Sequence, residues 1–132
     1  IKSQVSGIKQ VSVMEVSKAR SSLDERTFNF ARYVRSFVRG LPRSIIATAD
    51  GMQLVRSSGS IGANYIEAQE ALSKKDFGMR VKICRKEAKE SRYWLGLFES
   101  LPLESKEIQQ RLFRESTELL KIFSAIVEKT RH

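Results

Sequence analysis

The stretch that decides the fold is Met52 to Leu72, MQLVRSSGSIGANYIEAQEAL, because it gathers small residues in a segment with helical periodicity. Helical spacing places its apolar residues, and those just before it, on two adjacent stripes. The first stripe is Ile45, Ala49, Met52, Val55, Gly59, Gly62, Ala63 and Ile66, and the second is Leu54, Ile61, Tyr65, Ala68 and Leu72. An apolar arc this wide predicts that the helix packs against more than one partner.

Capping residues and prolines divide the chain into four predicted helices. The first runs from Ser21, Ser22 or Asp24 to about Arg39, the second from Pro42 to about Leu72 or Ser73, the third from Ser73 or Asp76 to about Leu101, and the fourth from about Ser105 to the end of the chain. In the third, spacings of four and three alternate through Phe77, Val81, Cys84, Ala88, Ser91, Leu95 and Phe98, which is a heptad seam. Strand-like alternation is absent. The sequence therefore predicts an all-α fold, an antiparallel up-down-up-down four-helix bundle.

The 132 residues have the length of one domain. We expect residues 21–132 to form the bundle and residues 1–20 to be a flexible N-terminal tail, whose residues 1–13 are either upstream sequence or an ordinary flexible terminus. No apolar run is long enough to span a membrane, and the N-terminus lacks the apolar core of a signal peptide. Since the single cysteine, Cys84, allows no internal disulfide, we expect a reducing, cytoplasmic location.

The formal net charge of +9 is unevenly distributed along the chain. Residues 14–43 and residues 73–101 each carry +4, whereas residues 44–72 between them carry −2. Two predicted helices each carry basic residues along one face. The first helix has an arginine stripe of Arg32, Arg35 and Arg39, and the third has a lysine stripe of Lys82, Lys86 and Lys89. Because each stripe has charges of one sign, RNA or DNA is a candidate partner for both, and an ordinary solvated face is the equally weighted alternative.

The glycine-containing segment Gly59 to Gly62 resembles a ligand-binding loop only superficially. A phosphate-binding loop needs a preceding strand and Lys-Ser/Thr after its last glycine, and the GxxG loop of a KH domain also belongs to a fold with strands. Here helical sequence lies on both sides, and Ala63-Asn64 follows. The small residues more simply predict that a neighbouring helix approaches closely.

Catalytic and metal-binding patterns are weak. The pairs Glu67/Glu70 and Glu87/Glu90 have the spacing of bundle metal ligands, but the only histidine is His132, so ion pairs with Lys or Arg are the preferred interpretation for Glu87 and Glu90. Cys84 lies on the apolar seam without a histidine partner, which predicts an inert buried thiol. The sequence therefore predicts no enzymatic activity, no metal and no cofactor.

A second apolar strip on the third helix lies outside its seam and consists of Met79, Ile83, Trp94 and Leu97. A monomeric bundle does not need this strip, which makes it a candidate interface between subunits. Tyr93 and Trp94 could also stack on nucleic-acid bases, although packing or interface roles are the commoner use of such residues.

The longest recognisable pattern is QLVRSSGSIGANYIEAQEALSKKDF followed by KEAKESRYWL. It resembles the four-helix bundle family associated with intervening sequences inside bacterial 23S ribosomal RNA genes. The similarity extends over roughly Phe30 to Ile126 and depends on the following positions: Gln53-Leu54, Arg56-Ser57, Ser60-Ile61, Ala63-Asn64, Glu67-Ala68, Ser73, Asp76-Phe77, Lys86-Glu87-Ala88, Glu90 and Tyr93-Trp94-Leu95. Where other members have Ala-Glu-Gly after the asparagine, this chain has Tyr65-Ile66-Glu67-Ala68, which resembles a subgroup variant.

The resemblance implies a basic antiparallel bundle that assembles into a ring, commonly a homopentamer. It also implies a relation to the accessory protein of diversity-generating retroelements. That accessory protein resembles a basic pentamer, and it binds nucleic acid and a reverse transcriptase. Two functions follow as expectations: a non-enzymatic ring that binds RNA or DNA mainly through phosphates, or a protein-interaction scaffold without nucleic-acid binding of its own.

Overall fold

The computed structural model describes residues 22–131, which form four α-helices and no strand. We number them α1 (Leu23–Arg39), α2 (Ile45–Gln69), α3 (Lys74–Leu97) and α4 (Leu103–Thr130). The all-α prediction is confirmed for this part of the chain, and the predicted tail of residues 1–20 lies outside it. None of the described helices is long and apolar enough to cross a membrane.

The predicted starts of α1 and α3 are confirmed, because Ser22 and Ser73 cap these helices with their side-chain oxygens. The prediction that the second helix begins at Pro42 is wrong. Ser44 is the N-cap instead, and its hydroxyl accepts a hydrogen bond from the Ala47 amide at 3.0 Å. The same helix ends at Gln69, three residues before the predicted end at Leu72.

The boundary between the last two helices also differs from the prediction. α3 ends at Leu97 rather than Leu101, since Phe98 has an extended backbone. The side-chain amide of Gln109 on α4 donates to the carbonyl oxygens of Leu95 at 2.7 Å and Phe98 at 3.0 Å, and so satisfies groups that the ending helix leaves free. α4 then begins at Leu103 rather than Ser105, with Pro102 before it and no side-chain cap.

The core is formed by the predicted faces of α1 and α3, by part of one stripe of α2, and by α4. Phe30, Val34 and Phe37 of α1 are buried, and so are the α3 seam from Val81 to Phe98 and Ile108, Leu112, Leu119, Phe123 and Val127 of α4. The second predicted stripe of α2 is buried at Leu54, Ile61 and Ala68, but the prediction is wrong for Leu72, which lies beyond the end of the helix and is 98% exposed. Ile45, Met52 and Ile66 of the first stripe are exposed as well. The first stripe therefore keeps an uncovered apolar surface.

Each helix packs along two others. α1 and α3 both pack along α2 and α4, whereas α2 and α4 lie diagonally across the bundle and meet in the core through Tyr65 and Phe123, with ring centroids 6.0 Å apart. Residues in contact between neighbouring helices have numbers that increase along one helix and decrease along the other. Between α1 and α2 the contacts are Thr27 with Gly62 and Val38 with Gly51. Between α2 and α3 they are Ser57 with Ser91, Ile61 with Cys84 and Asn64 with Arg80.

Small residues of α2 allow the close approach that the sequence predicts. A Cβ added at Gly62 would lie 3.1 Å from Thr27 Oγ1, so α1 passes directly over this glycine. On the other side of α2 the buried Ser91 hydroxyl of α3 donates to the Ser57 hydroxyl at 2.9 Å. These contacts place α2 between α1 and α3 and determine which of its residues reach the surface.

Candidate nucleic-acid interface

The lysine stripe lies on the outer face of α3. Lys82, Lys86 and Lys89 are all exposed, and none forms an ion pair with another described residue. The spacing of four and three that joins them continues in both directions through exposed residues. The complete row, called here the α3 outer row, is Lys75, Met79, Lys82, Lys86, Lys89 and Tyr93.

Lys75 and Tyr93 are members of this row that the sequence interpretation missed. The helical spacing that places them in the row is visible in the sequence, because Lys75 lies seven residues before Lys82 and Tyr93 lies four residues after Lys89. The phenol of Tyr93 is 60% exposed and makes an edge-to-face contact with Trp94, with ring centroids 5.1 Å apart. The row therefore ends in an exposed aromatic ring.

The carboxylates nearest to the lysine stripe are engaged by α2. Arg56 Nη1 lies 3.3 Å from Glu87 Oε2, and Arg56 Nη2 donates to Glu90 Oε1. This confirms the prediction that Glu87 and Glu90 pair with a basic side chain, and the partner is on the neighbouring helix. Glu87 and Glu90 therefore share Arg56 and form no ion pair with the lysine stripe.

Glu90 and Arg56 stabilise each other's charged forms. Burial acts to raise the pKa of Glu90, but the hydrogen bond from Trp94 Nε1 and the Arg56 guanidinium outweigh it, so the pKa lies below its ordinary value. The hydrogen bond to Glu90 also raises the pKa of Arg56. Both shifts favour the ionised forms of Glu90 and Arg56 near neutral pH.

The arginine stripe lies on α1 and is less free than the lysine stripe. Arg35 donates to the Ala31 carbonyl at 3.0 Å, and its guanidinium lies over Gly59 of α2. Arg32 lies over the ring of Phe28, 5.8 Å from its centroid, and Arg39 is exposed. Since α1 and α3 do not pack along each other, the structure does not bring the two predicted stripes together into one site.

The candidate interface strip is partly exposed. Met79 and Leu97 are open to solvent at 54% and 40%, whereas Ile83 and Trp94 are half-buried. Trp94 donates from Nε1 to Glu90 Oε1 at 3.4 Å and packs against the core. The strip is thus a shallow apolar surface that adjoins the α3 outer row and shares Met79 with it.

A second apolar surface lies in the groove between α1 and α2, and the sequence did not identify it as an open face. It has a volume of about 690 Å³ and is lined by residues that include Phe28, Gly59, Gly62 and Ile66. Phe28 is 62% exposed and Ile66 59%. Asp24 and Glu25 also line the groove and give it acidic groups.

Asn64 of α2 forms a hydrogen bond with α3, whereas Glu67 of the same helix does not. Asn64 donates from Nδ2 to the Ser60 carbonyl at 2.8 Å and accepts from Arg80 at 3.3 Å, while Glu67 is exposed. Asn64 is therefore a half-buried link between two helices and not part of a buried network.

Cys84 is fully buried, as predicted. Burial raises the pKa of its thiol to about 12, and the thiol donates to the Ile61 carbonyl at 3.4 Å. A neutral, enclosed thiol is a poor nucleophile. Within the described part of the chain, no group of three or more His, Cys, Asp or Glu side chains is arranged to hold a metal ion.

The fold and surface of residues 22–131 define a basic, all-α unit with four helices and uncovered apolar faces. Residues 24–125 match the sequence model of the family described as 23S rRNA-intervening sequence protein, and the chain belongs to this family. No curated protein sequence matches it. A crystal structure of a protein of unknown function, from the S23 ribosomal protein family of Bacteroides thetaiotaomicron, is similar with a TM-score of 0.65 and 31% identity, covering 80% of this chain and 98% of that chain.

Proposed function

We propose that this chain is a non-enzymatic, antiparallel four-helix bundle that forms a ring and binds RNA or DNA mainly through phosphate contacts. The exposed lysine stripe carries this proposal, because its three ammonium groups have no described carboxylate partner. Unpaired surface cations release counterions from a nucleic acid when they meet its phosphates. The family description, which refers to a ribosomal RNA insertion, favours the same class of partner.

The side chains of the stripe favour backbone contacts over base readout. Lysine ammonium groups are flexible point charges without the planar fork that arginine uses to recognise guanine. Phosphate contacts fix the position of a protein on nucleic acid but carry no sequence information directly. We therefore expect affinity with little sequence preference.

Ring assembly is supported by two apolar surfaces on different sides of the chain. The α1–α2 groove contains Phe28 and Ile66, and the interface strip of α3 contains Met79 and Leu97. Since the groove involves α1 and the strip lies on α3, a contact between groove and strip would join unlike surfaces of successive copies. Such head-to-tail contacts close into rings when the rotation permits, and the family resemblance favours five copies.

The nucleic-acid function is tested by titrating a generic RNA at about 50 mM and about 200 mM salt. We expect affinity to fall steeply with salt, and we expect Lys82, Lys86 and Lys89 changed together to Glu to abolish binding. Changing Arg32, Arg35 and Arg39 together to Glu should have the smaller effect, since Arg32 and Arg35 already make contacts within the chain. Background-level binding by the wild-type protein at the lower salt would refute the proposal.

The ring is tested by the mass of the purified protein in light scattering. Met79→Glu and Leu97→Glu place charges in the interface strip and should yield smaller species. Leu103→Glu is the matched control, because Leu103 is 72% exposed but lies at the start of α4, outside both apolar surfaces. A wild-type protein with the mass of a monomer would contradict ring formation.

A protein-interaction scaffold is the second candidate function, and the exposed interface strip favours it. In that case the lysine stripe only increases solubility. A nuclease-resistant oligomer that purifies with an absorbance ratio typical of pure protein, and that fails to bind RNA, would favour the scaffold.

A further inference from the structure

Tyr93 lies at the end of the α3 outer row. Tyr93 follows Lys89 by four residues and, like the three lysines, is exposed. Lysines and an aromatic ring on one helical face are the two components of surfaces that bind single-stranded nucleic acid. The inference rests on the proposed nucleic-acid function and specifies its substrate.

From this arrangement we propose that the α3 outer row binds single-stranded RNA or DNA, with the phosphates along the lysines and an unpaired base stacked on Tyr93.

The linear arrangement of the α3 outer row suits one strand of nucleic acid. From Lys75 to Tyr93 it extends about 27 Å along α3 at 1.5 Å per residue. Its basic side chains lie on one line, which matches one phosphate backbone, whereas a duplex presents the phosphates of two strands. An aromatic ring can stack only on a base whose face is open, and bases inside a duplex are covered on both faces.

Neighbouring side chains hold the Tyr93 ring in place. Trp94 contacts it edge to face, and the Trp94 indole is itself fixed by its hydrogen bond to Glu90. Glu90 is in turn bound by Arg56 of α2. The aromatic surface is therefore preorganised, which lowers the conformational entropy lost when a base stacks on it.

The other exposed aromatic ring beside a basic stripe does not offer the same site. Phe28 on α1 has the Arg32 guanidinium over its ring. Asp24 and Glu25 line the same groove as Phe28, and their carboxylates repel phosphate. Phe28 therefore does not provide a second stacking site for a base.

The test compares a 12-nucleotide uridine oligomer with a blunt RNA duplex of equal length at low salt, using the full chain. Trp94 is the only tryptophan, so quenching of its emission reports binding next to Tyr93. We expect tighter binding of the single strand, with quenching. Tyr93→Ala should weaken that binding roughly 5- to 150-fold, Tyr93→Phe should retain it, and Leu103→Ala, at an exposed residue outside both apolar surfaces, should leave it unchanged.

The outcomes separate this inference from the proposed function. Equal affinity for the two RNAs, or no loss in Tyr93→Ala, overturns the single-strand inference while nucleic-acid binding itself stands. If neither RNA binds at low salt, both proposals are refuted. Circular dichroism of each variant checks that the helices are intact, and the duplex affinity of Tyr93→Ala provides a second check, since it should equal the wild-type value.

Discussion

Arg56 on α2 forms ion pairs with both Glu87 and Glu90 on α3. Within the described residues, no other basic side chain forms an ion pair with these two carboxylates. Glu87 is buried, with a side chain that is 8% exposed, and its Oε1 atom has no hydrogen-bond partner within the described residues. The guanidinium therefore compensates a carboxylate that has lost most of its water. It also leaves the lysine stripe free to meet other anions.

Removing this guanidinium should destabilise the fold. Arg56→Ala leaves the Glu87 carboxylate buried without a counter-charge, which costs up to 3–5 kcal/mol when both partners are fully buried. Half of the Arg56 side chain is exposed, so water replaces part of the interaction, and we expect a loss of about 1–2 kcal/mol. Urea unfolding followed by Trp94 emission measures the free energy of unfolding.

The control for this prediction is Arg39→Ala, because Arg39 is exposed at the end of α1 and forms no ion pair with a described residue. Adding Glu87→Gln to Arg56→Ala should recover part of the lost stability, since the neutral amide no longer carries an uncompensated charge. Equal effects of Arg56→Ala and Arg39→Ala would show that the ion pairs contribute nothing.

Two helical glycines should respond oppositely to alanine. A Cβ at Gly62 would lie 3.1 Å from Thr27 Oγ1 and 3.4 Å from Thr27 Cβ, and Thr27 is held by its hydrogen bond to the Asp24 carbonyl. Overpacking of this kind costs about 1–3 kcal/mol, against a gain of about 1 kcal/mol in helix propensity. We therefore expect Gly62→Ala to lower the melting temperature.

Gly96 provides the comparison, because a Cβ there would make an ordinary contact of 3.5 Å with Phe113. Gly96→Ala should raise the melting temperature, since only the propensity gain of about 1 kcal/mol remains. If both alanine variants were stabilised to the same extent, the close approach of α1 at Gly62 would have no energetic consequence.

The number of helices and most of the core could be predicted from the sequence, because spacing and capping are local. The misplaced boundaries have different causes. Pro42 and Ser44 both satisfy local rules for a helix start, and in the structure the Ser44 hydroxyl caps the helix through the Ala47 amide. The end of α3 has a tertiary cause, because Gln109, a residue of the next helix, binds the carbonyls of Leu95 and Phe98.

The surface was only partly predictable for the same reason. Exposure of the lysine stripe follows from its position opposite the heptad seam. The pairing of Arg56 with Glu87 joins residues 31 positions apart, so it depends on which helix lies beside α2 and in what register. The two apolar stripes of α2 look equally suited to burial in the sequence, and only packing shows that Ile66 and Met52 remain exposed.

Cys84 should be unreactive while the chain is folded. Its thiol is fully buried, and burial raises its pKa to about 12, so the thiolate is scarce at about pH 8. We expect a thiol reagent to label the native protein orders of magnitude more slowly than the protein in urea, with a rate that follows unfolding. Fast labelling of the native protein would contradict the burial of Cys84.

Stability should depend on the ionisation of Glu90. The folded pKa of Glu90 lies below its ordinary value of 4.5, so this carboxylate stabilises the fold above that pH and loses its contribution as the pH falls through the folded pKa. Glu90→Gln should therefore be less stable than the wild type at about pH 6, and the difference should shrink towards about pH 3. Glu67→Gln is the control, because Glu67 is exposed on α2 and has no ion pair in the described structure, so this change removes no such contact. Urea unfolding across this pH range measures both differences, and a Glu90→Gln difference that is independent of pH would show that Arg56 and Trp94 do not favour the ionised form.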